Sequence, residues 1–194
     1  MSDWLQFLVD ERITPEDAEL HARQVRERLV TDGWIAPKAD EKCALGGKGH
    51  RPGRDASSLY SGRGGERDFA KHLTNGVVID TAPFTNLAAG PYQTDLLICP
   101  TCETAIDTDL LMECVGSWMS GDAGAKVHCD GCDEDLALRS LRCTDAGESP
   151  VVCGNLTLTF YNWPPLDSPS WQRSVIDVVA DVLGARPSLA YAKL

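Results

Sequence analysis

Two C-x-x-C motifs constrain the fold of this chain more than any other sequence feature. The first is Cys99-Pro100-Thr101-Cys102 and the second is Cys129-Asp130-Gly131-Cys132. Proline and glycine favour tight turns, which bring the two thiols of each motif together. Two such motifs can place four thiolates at about 2.3 Å from one ion, as in a structural zinc site. The sequence therefore predicts one structural Zn²⁺ per chain, with Cys99, Cys102, Cys129 and Cys132 as ligands.

The segment between the two motifs is longer than the roughly 15–20 residues usual for such pairs. We interpret the excess, residues 107–121, as an inserted helix, because Leu111, Val115, Trp118 and Met119 fall on one helical face. The pattern is typical of a zinc ribbon with a short helix between its motifs. Four thiolates close the coordination sphere and leave no position for a catalytic water. Redox-active or simply buried thiols are the alternative interpretation.

The other cysteines carry less information. Cys114 lies in the inserted segment and is expected to be a packed thiol. Cys143 and Cys153 either face each other across a hairpin or, as we favour, are two small core residues. Cys43 is a weak candidate nucleophile, since Lys42 and Lys48 supply only a modest electropositive environment. His128 adjoins Cys129 and is an alternative ligand, although four cysteines already suffice.

Composition and charge narrow the function classes. The chain has 194 residues and a net charge of −11, which opposes binding to phosphate backbones and to anionic lipid surfaces. No apolar run reaches the roughly 18 residues that indicate a spanning helix. The first residues lack the basic and apolar segments of a signal peptide, so we expect a cytoplasmic protein. A reducing compartment in turn disfavours disulfides between the eight cysteines.

The hydrophobic patterns predict an α+β fold with a small mixed sheet, N- and C-terminal helices and the inserted four-cysteine ribbon. Residues 1–37 are expected to form a helical unit, with a first helix capped by Ser2 and a second that begins at Thr14-Pro15. Residues 68–194 are expected to form the α+β core, with the ribbon at about 95–143. The clearest strand is the alternating segment 154–163, and a last helix capped by Ser168 or Ser170 follows it.

Residues 38–67 stand out because they combine seven basic residues with seven glycines and show no apolar period. We expect a long loop, and such loops are usually functional or mobile. Gly46-Gly47-Lys48-Gly49-His50 lacks the spacing of a phosphate-binding P-loop. A solvated loop and a loop that contacts a partner are the two remaining interpretations.

The ribbon segment is strongly acidic. Residues 95–148 contain twelve acidic and three basic side chains. Ribbons that bind nucleic acid usually present a basic face, whereas an acidic module can steer toward a basic protein. Solubility alone is the alternative explanation for these acids. No G-x-S-x-G, H-E-x-x-H or zinc-deaminase pattern is present, so no catalytic constellation is predicted.

Two stretches together carry a family resemblance. They are 33–53, which begins Gly-Trp-Ile-Ala-Pro and contains the segment from Cys43 to Gly53, and 154–165, which ends Tyr-Asn-Trp-Pro-Pro. With the ribbon between them, the chain resembles small uncharacterised bacterial zinc-ribbon proteins and, more loosely, immunity-type proteins of polymorphic toxin systems. The resemblance implies a non-enzymatic cytosolic protein that neutralises a toxin, and it carries over no catalytic residue.

The sequence thus favours a non-enzymatic, protein-binding protein with a structural zinc, which inhibits a basic toxin or effector domain. One alternative is a nucleic-acid-binding or regulatory module that uses the basic segment 38–67. Another is an enzyme that uses Cys43 or a site the sequence does not reveal. The partner, the contact surface and the oligomeric state are not readable from the sequence.

Overall fold

The computed structural model describes residues 4–44, 47–62, 69–87, 97–143 and 151–193. It has the predicted α+β class, with a large antiparallel sheet and three α-helices. The chain forms two compact units, one made of Met1–Thr81 with Asn155–Leu194 and the other of Ala82–Gly154. We call these the sheet unit and the ribbon unit. Within the described ranges, no helix has the length and apolarity needed to cross a bilayer.

The sheet unit is built on six strands: β1 Trp4–Asp10, β2 Ile35–Ala44, β3 Gly47–Pro52, β4 Gly76–Asp80, β11 Leu156–Tyr161 and β12 Ser188–Lys193. These strands are antiparallel and lie in the order β12-β1-β11-β4-β3-β2. The predicted strand at 154–163 is confirmed as β11. Asp80 at the end of β4 pairs with Thr157 at the start of β11. The ribbon unit is therefore an insertion between two neighbouring strands.

The predicted first helix, capped by Ser2, is wrong, because residues 4–10 form strand β1. This strand lies between β11 and β12, with Leu5 opposite Tyr161 on one side and Ala192 on the other. Every residue of β1 after Trp4 is buried, so both faces of the strand are covered. A short continuous run of apolar residues shows no periodicity, so the sequence alone does not distinguish a helix from a buried strand. Pairing with β11 and β12, which are distant in sequence, makes this segment a strand.

The predicted loop at 38–67 is also wrong over its first part, which forms the antiparallel pair β2 and β3. Strand β2 lies at the edge of the sheet, and three of its charged side chains, Lys38, Glu41 and Lys42, are exposed. Charged residues on an edge strand are common because they discourage pairing with other chains, and here they mask the strand pattern. Gly53 allows a close approach, since a Cβ there would lie 2.2 Å from the carbonyl oxygen of Gly33.

Two helices complete the sheet unit. Helix α1, Pro15–Thr31, follows the N-cap residue Thr14 as predicted, and it buries one face formed by Ala18, Ala22, Val25 and Leu29. Helix α3, Val175–Leu183, begins later than predicted, because the Ser174 side chain, not Ser168 or Ser170, accepts a hydrogen bond from the backbone of Ile176. Trp171 therefore precedes α3, and it packs against Trp34 with ring centroids 5.4 Å apart.

A buried glutamine fixes the segment that leads from β11 toward α3. The Gln6 side chain is fully buried on β1. Its amide nitrogen donates to the carbonyls of Trp163 and Pro164, both at 3.0 Å, and its oxygen accepts from the backbone of Leu166 at 2.7 Å. Buried amides are costly unless they are paired, so these three bonds hold the two proline residues in one place.

In the described ranges 82–87, 97–143 and 151–154, the ribbon unit consists of three two-stranded sheets, one α-helix and a short 3-10 helix at Leu138–Ser140. The pairs are β5 Phe84–Leu87 with β10 Val151–Gly154, β6 Leu97–Ile98 with β9 Arg142–Cys143, and β7 Lys126–Cys129 with β8 Glu134–Ala137. Helix α2, Thr108–Met119, is the predicted inserted helix, and the Asp107 side chain caps it by accepting from two backbone N–H groups. Leu111 and Cys114 face the core, whereas Met119 is 48% exposed, contrary to expectation.

We expect Leu158→Ala to destabilise the sheet unit by about 2–5 kcal/mol. The side chain is 1% exposed in the core between sheet and helices, so truncation leaves a cavity. Denaturant unfolding followed by tryptophan fluorescence measures the loss. Leu73→Ala is the matched control, because Leu73 is 81% exposed. A loss below about 1 kcal/mol would contradict the packing described here.

Candidate metal centre

Short strands position the two C-x-x-C motifs. The first motif follows β6 directly, and the second spans the turn between β7 and β8, with Cys129 as the last residue of β7. Cys99 and Cys129 are buried, while Cys102 and Cys132 are partly exposed. Each motif thus contributes one inner and one outer sulfur. The four thiols converge on one point although helix α2 separates the motifs in sequence.

The sulfur positions match those of a tetrahedral metal site. All four Sγ atoms lie within 4.8 Å of one another. Cys99 Sγ is 3.7 Å from Cys132 Sγ, and Cys102 Sγ is 3.5 Å from Cys129 Sγ. Four ligands placed about 2.3 Å from a tetrahedral centre are about 3.8 Å apart, whereas a disulfide bond is about 2.05 Å long. The four cysteines can therefore hold a metal ion.

Both motifs use the same backbone turn. The N–H of Glu103 donates to the carbonyl of Cys99 at 3.0 Å, and that of Asp133 donates to the carbonyl of Cys129 at 2.9 Å. Glu103 and Asp133 each follow the second cysteine of their motif and have φ values of 61° and 62°. Left-handed backbone is costly for residues with a Cβ. Neither residue was predicted to matter, and only its place directly after C-x-x-C could have indicated its role.

Three hydrogen bonds hold the first motif and join it to the second. The Cys99 N–H donates to the carbonyl of Thr104 at 2.9 Å, and the Thr101 N–H donates to Cys99 Sγ at 3.4 Å. The Thr101 hydroxyl donates to a Glu134 carboxylate oxygen at 2.9 Å, which joins the first motif to β8. These bonds orient the sulfurs before any ion binds, which lowers the cost of ordering the site.

The sulfurs differ in how readily they lose a proton. The pKa of Cys102 is lowered to about 6, mainly because the Thr104 hydroxyl, 3.2 Å from its Sγ, can donate to the thiolate. Burial raises the pKa of Cys99, but the backbone N–H groups of Cys102 and Thr101 lower it by more. Burial and the neighbouring sulfurs raise the pKa of Cys132 to about 12. A metal ion that binds all four thiolates must therefore release protons.

The alternative ligand His128 does not join the four-cysteine cluster. Its ring is exposed, with Nδ1 3.2 Å from a carboxylate oxygen of Asp135 and Nε2 3.3 Å from one of Asp133. Cys114 is the packed thiol that was predicted, because it is 5% exposed in the core of the ribbon unit. Burial also raises its pKa.

The remaining cysteines lie outside this centre. Cys43 is buried in the sheet unit, its thiol donates to the carbonyl of Asp40 at 3.3 Å, and burial raises its pKa. Such a thiol is not activated as a nucleophile. Cys153 is buried on β10, which pairs with β5, whereas Cys143 lies on β9, which pairs with β6. The side chain of Cys143 lies outside the described part of the chain.

Comparison with known proteins does not add a relative. No family model, curated protein or solved structure matches the chain. The interpretation of the centre therefore depends on its geometry and its chemistry.

We expect Cys129→Ser to abolish stoichiometric metal binding, because three remaining thiolates and a hydroxyl do not reproduce a four-thiolate site. Elemental analysis of the freshly purified full-length protein, with zinc, iron and copper measured together, gives the metal content per chain. Cys43→Ser, which changes a buried thiol in the other unit, is the matched control and should retain the metal. Equal metal content in wild type and Cys129→Ser would contradict the assignment of Cys129 as a ligand.

We expect Gly131→Ala to weaken metal binding by about tenfold or more, the scale seen when groups that orient ligands are lost. A Cβ at Gly131 would lie 2.1 Å from Thr104 Oγ1 and 2.9 Å from Cys102 Sγ. Competition with a chromophoric chelator measures the affinity for Co²⁺. Gly116→Ala is the control, because a Cβ there meets nothing within 4 Å. An unchanged affinity in Gly131→Ala would show that the two motifs do not need this close contact.

Proposed function

We propose that this chain is a non-enzymatic binding protein whose four-cysteine centre holds a structural Zn²⁺ and whose ribbon unit docks on a basic protein domain. The observation that carries the proposal is the distribution of acids in the ribbon unit. In the described range 97–143, all nine aspartate and glutamate residues are exposed. Only three lysine or arginine side chains accompany them: Lys126, Arg139 and Arg142.

Zinc is the ion that best fits the ligand set. Four thiolates in tetrahedral arrangement are typical of zinc and of iron–sulfur proteins, and sites closed by four cysteines are predominantly structural. Since no open coordination position remains, the ion would hold the two motifs together and would not activate water. Elemental analysis distinguishes the metals, and iron in place of zinc would contradict this part of the proposal.

The charge of the ribbon unit supports a basic protein partner. Four thiolates carry two more negative charges than Zn²⁺ neutralises, so the loaded unit is more acidic than its side chains alone indicate. Clustered charge of one sign accelerates encounter with a surface of the opposite sign and repels nucleic-acid phosphates. A protein that must capture a basic domain rapidly therefore gains from such a surface.

The proposed biological role is that of an immunity-type inhibitor, which binds a basic toxin or effector domain in the cytoplasm of a bacterial cell. The resemblance at 33–53 and 154–165 and the acidic ribbon support this role. The raised pKa of Cys43 gives no support to the alternative of a thiol enzyme. Co-expression with the toxin encoded beside this gene tests the role, and unrelieved toxicity without a complex would contradict it.

We expect the triple variant Asp109→Asn, Glu113→Gln and Asp130→Asn to bind the partner at least tenfold more weakly at low salt. These carboxylates are exposed in the ribbon unit. Surface charges act mainly on the association rate, so surface plasmon resonance at several salt concentrations is the measurement.

The matched control for this triple variant changes net charge equally in the sheet unit: Glu27→Gln, Glu41→Gln and Asp181→Asn, all of which are exposed in wild type. Its affinity for the partner should stay within about threefold of the wild-type value, because salt screens charges that lie outside the binding surface. Equal weakening in both triple variants would mean that net charge alone, and not the ribbon surface, drives binding.

A further inference from the structure

The sheet unit contains a cleft that has no part in the metal centre. It lies between helix α1 and the ends of strands β3 and β4, and its volume is about 630 Å³. This volume falls within the roughly 300–1,000 Å³ usual for small-molecule sites. Its lining includes the apolar residues Ala22 and Ile79, but most of the lining residues are charged. A cleft lined mainly by charged residues suits a charged ligand better than it suits an apolar ligand.

Three cationic side chains line this cleft and have no ion-pair partner among the described residues. Arg23, Arg26 and Lys48 form no side-chain hydrogen bond or ion pair with any residue that the structure describes. Every other arginine described in the sheet unit is paired with an aspartate: Arg12, Arg28, Arg51, Arg54, Arg173 and Arg186. Among the described arginines of the unit, the two without such a pair therefore both line the cleft.

Acidic and basic side chains alternate along the walls of the cleft. Glu19 on α1 accepts a hydrogen bond from the Thr81 hydroxyl at 2.9 Å, so this carboxylate already has a partner. Arg23 lies one helical turn beyond Glu19, about 6 Å along the axis, and Arg26 lies about 10 Å beyond it. On the strands, the antiparallel pairing of His50 with Val77 places Lys48 opposite Ile79, the neighbour of Asp80. Along the helix, Arg26 is therefore the cation farther from Glu19.

A second groove adjoins the cleft at Lys48. It has a volume of about 560 Å³ and runs along the β2–β3 hairpin, where Lys38, Glu41 and Lys42 line it. Lys48 lines both the cleft and this groove. Within the groove, Arg51 is already paired with Asp40 at 2.9 Å. An anion held by Arg23, Arg26 and Lys48 could therefore extend past Lys48 toward two further lysines.

We propose that this surface binds a small anion with two or more linked phosphate groups. One phosphate lies between Arg23 and Arg26, whose planar guanidinium groups match phosphate oxygens, and the next contacts Lys48. The carboxylates of Glu16 and Glu19, nearer the start of α1, repel phosphate and so disfavour ligand groups beyond Arg23. This site is independent of the metal centre and of the proposed protein partner.

Isothermal titration of the full-length protein with tripolyphosphate and with inorganic phosphate tests the proposal. We expect one saturable site per chain, and tripolyphosphate should bind at least tenfold more tightly than phosphate. Arg23→Gln with Arg26→Gln, and separately Lys48→Gln, should weaken tripolyphosphate binding about tenfold or more, as expected for lost charged hydrogen bonds. Circular dichroism checks that each variant folds.

The matched control is Arg54→Gln with Arg186→Gln, which removes the same charge from exposed arginines outside both grooves. It should stay within about twofold of wild type, because a change in overall charge is largely screened by salt. Equal weakening in the control would overturn the proposal, as would the absence of saturable binding at millimolar tripolyphosphate. Salt-dependent binding of a single-stranded oligonucleotide without saturable tripolyphosphate binding would also overturn it, and would assign the surface to nucleic acid.

Discussion

The pairing of β4 with β11 is the constraint on which the rest of the architecture depends. Because Asp80 lies opposite Thr157, the chain leaves the large sheet and returns to it at neighbouring positions. The sheet unit can then close its own core with strands and helices from both ends of the sequence. The ribbon unit between these positions needs its own means of stability. It has a modest apolar core centred on Leu97, Leu111 and Leu141, to which the proposed metal adds a cross-link.

The charged surfaces of the two units differ. The grooves of the sheet unit present cationic side chains, whereas the ribbon unit exposes mainly carboxylates. The net charge of −11 therefore does not describe either unit on its own. Over the residues that the structure describes, the ribbon unit exposes nine carboxylates beside three bases, whereas the sheet unit pairs every arginine except Arg23 and Arg26 with an aspartate. Binding of a basic protein and binding of a small anion are therefore compatible in one chain, since the two proposals use different groups.

Local signals in the sequence predict the parts of the structure that local contacts determine. The C-x-x-C spacing brings Cys99 next to Cys102 and Cys129 next to Cys132, and Thr14-Pro15 predicts the start of α1. The strict alternation from Leu156 to Tyr161 likewise predicts β11. For each of these elements, the turn or the period is contained within a few residues.

The elements that were mispredicted depend on contacts distant in sequence. The run from Leu5 to Val9 is a strand because β11 and β12 pair with it, which the run itself does not encode. The hairpin β2–β3 is masked by its charged edge, and Arg23 and Lys48 line one cleft only because α1 packs near β2 and β4. The left-handed backbone of Glu103 and Asp133 was also not predicted, since it follows from the turn that each C-x-x-C motif makes at the metal site.

The central place of β1 has a consequence for the order of folding. Both partner strands follow β1 by well over a hundred residues, so β1 leaves the ribosome long before either partner is synthesised. Contacts of such high sequence separation form slowly, because a long loop must close first. The ribbon unit, whose strand pairs all lie within residues 82–154, is complete while the sheet still lacks β11 and β12. During synthesis the segment that holds the four cysteines is therefore complete before the largest core, and the apolar strand β1 lacks its partners until β11 and β12 have been made.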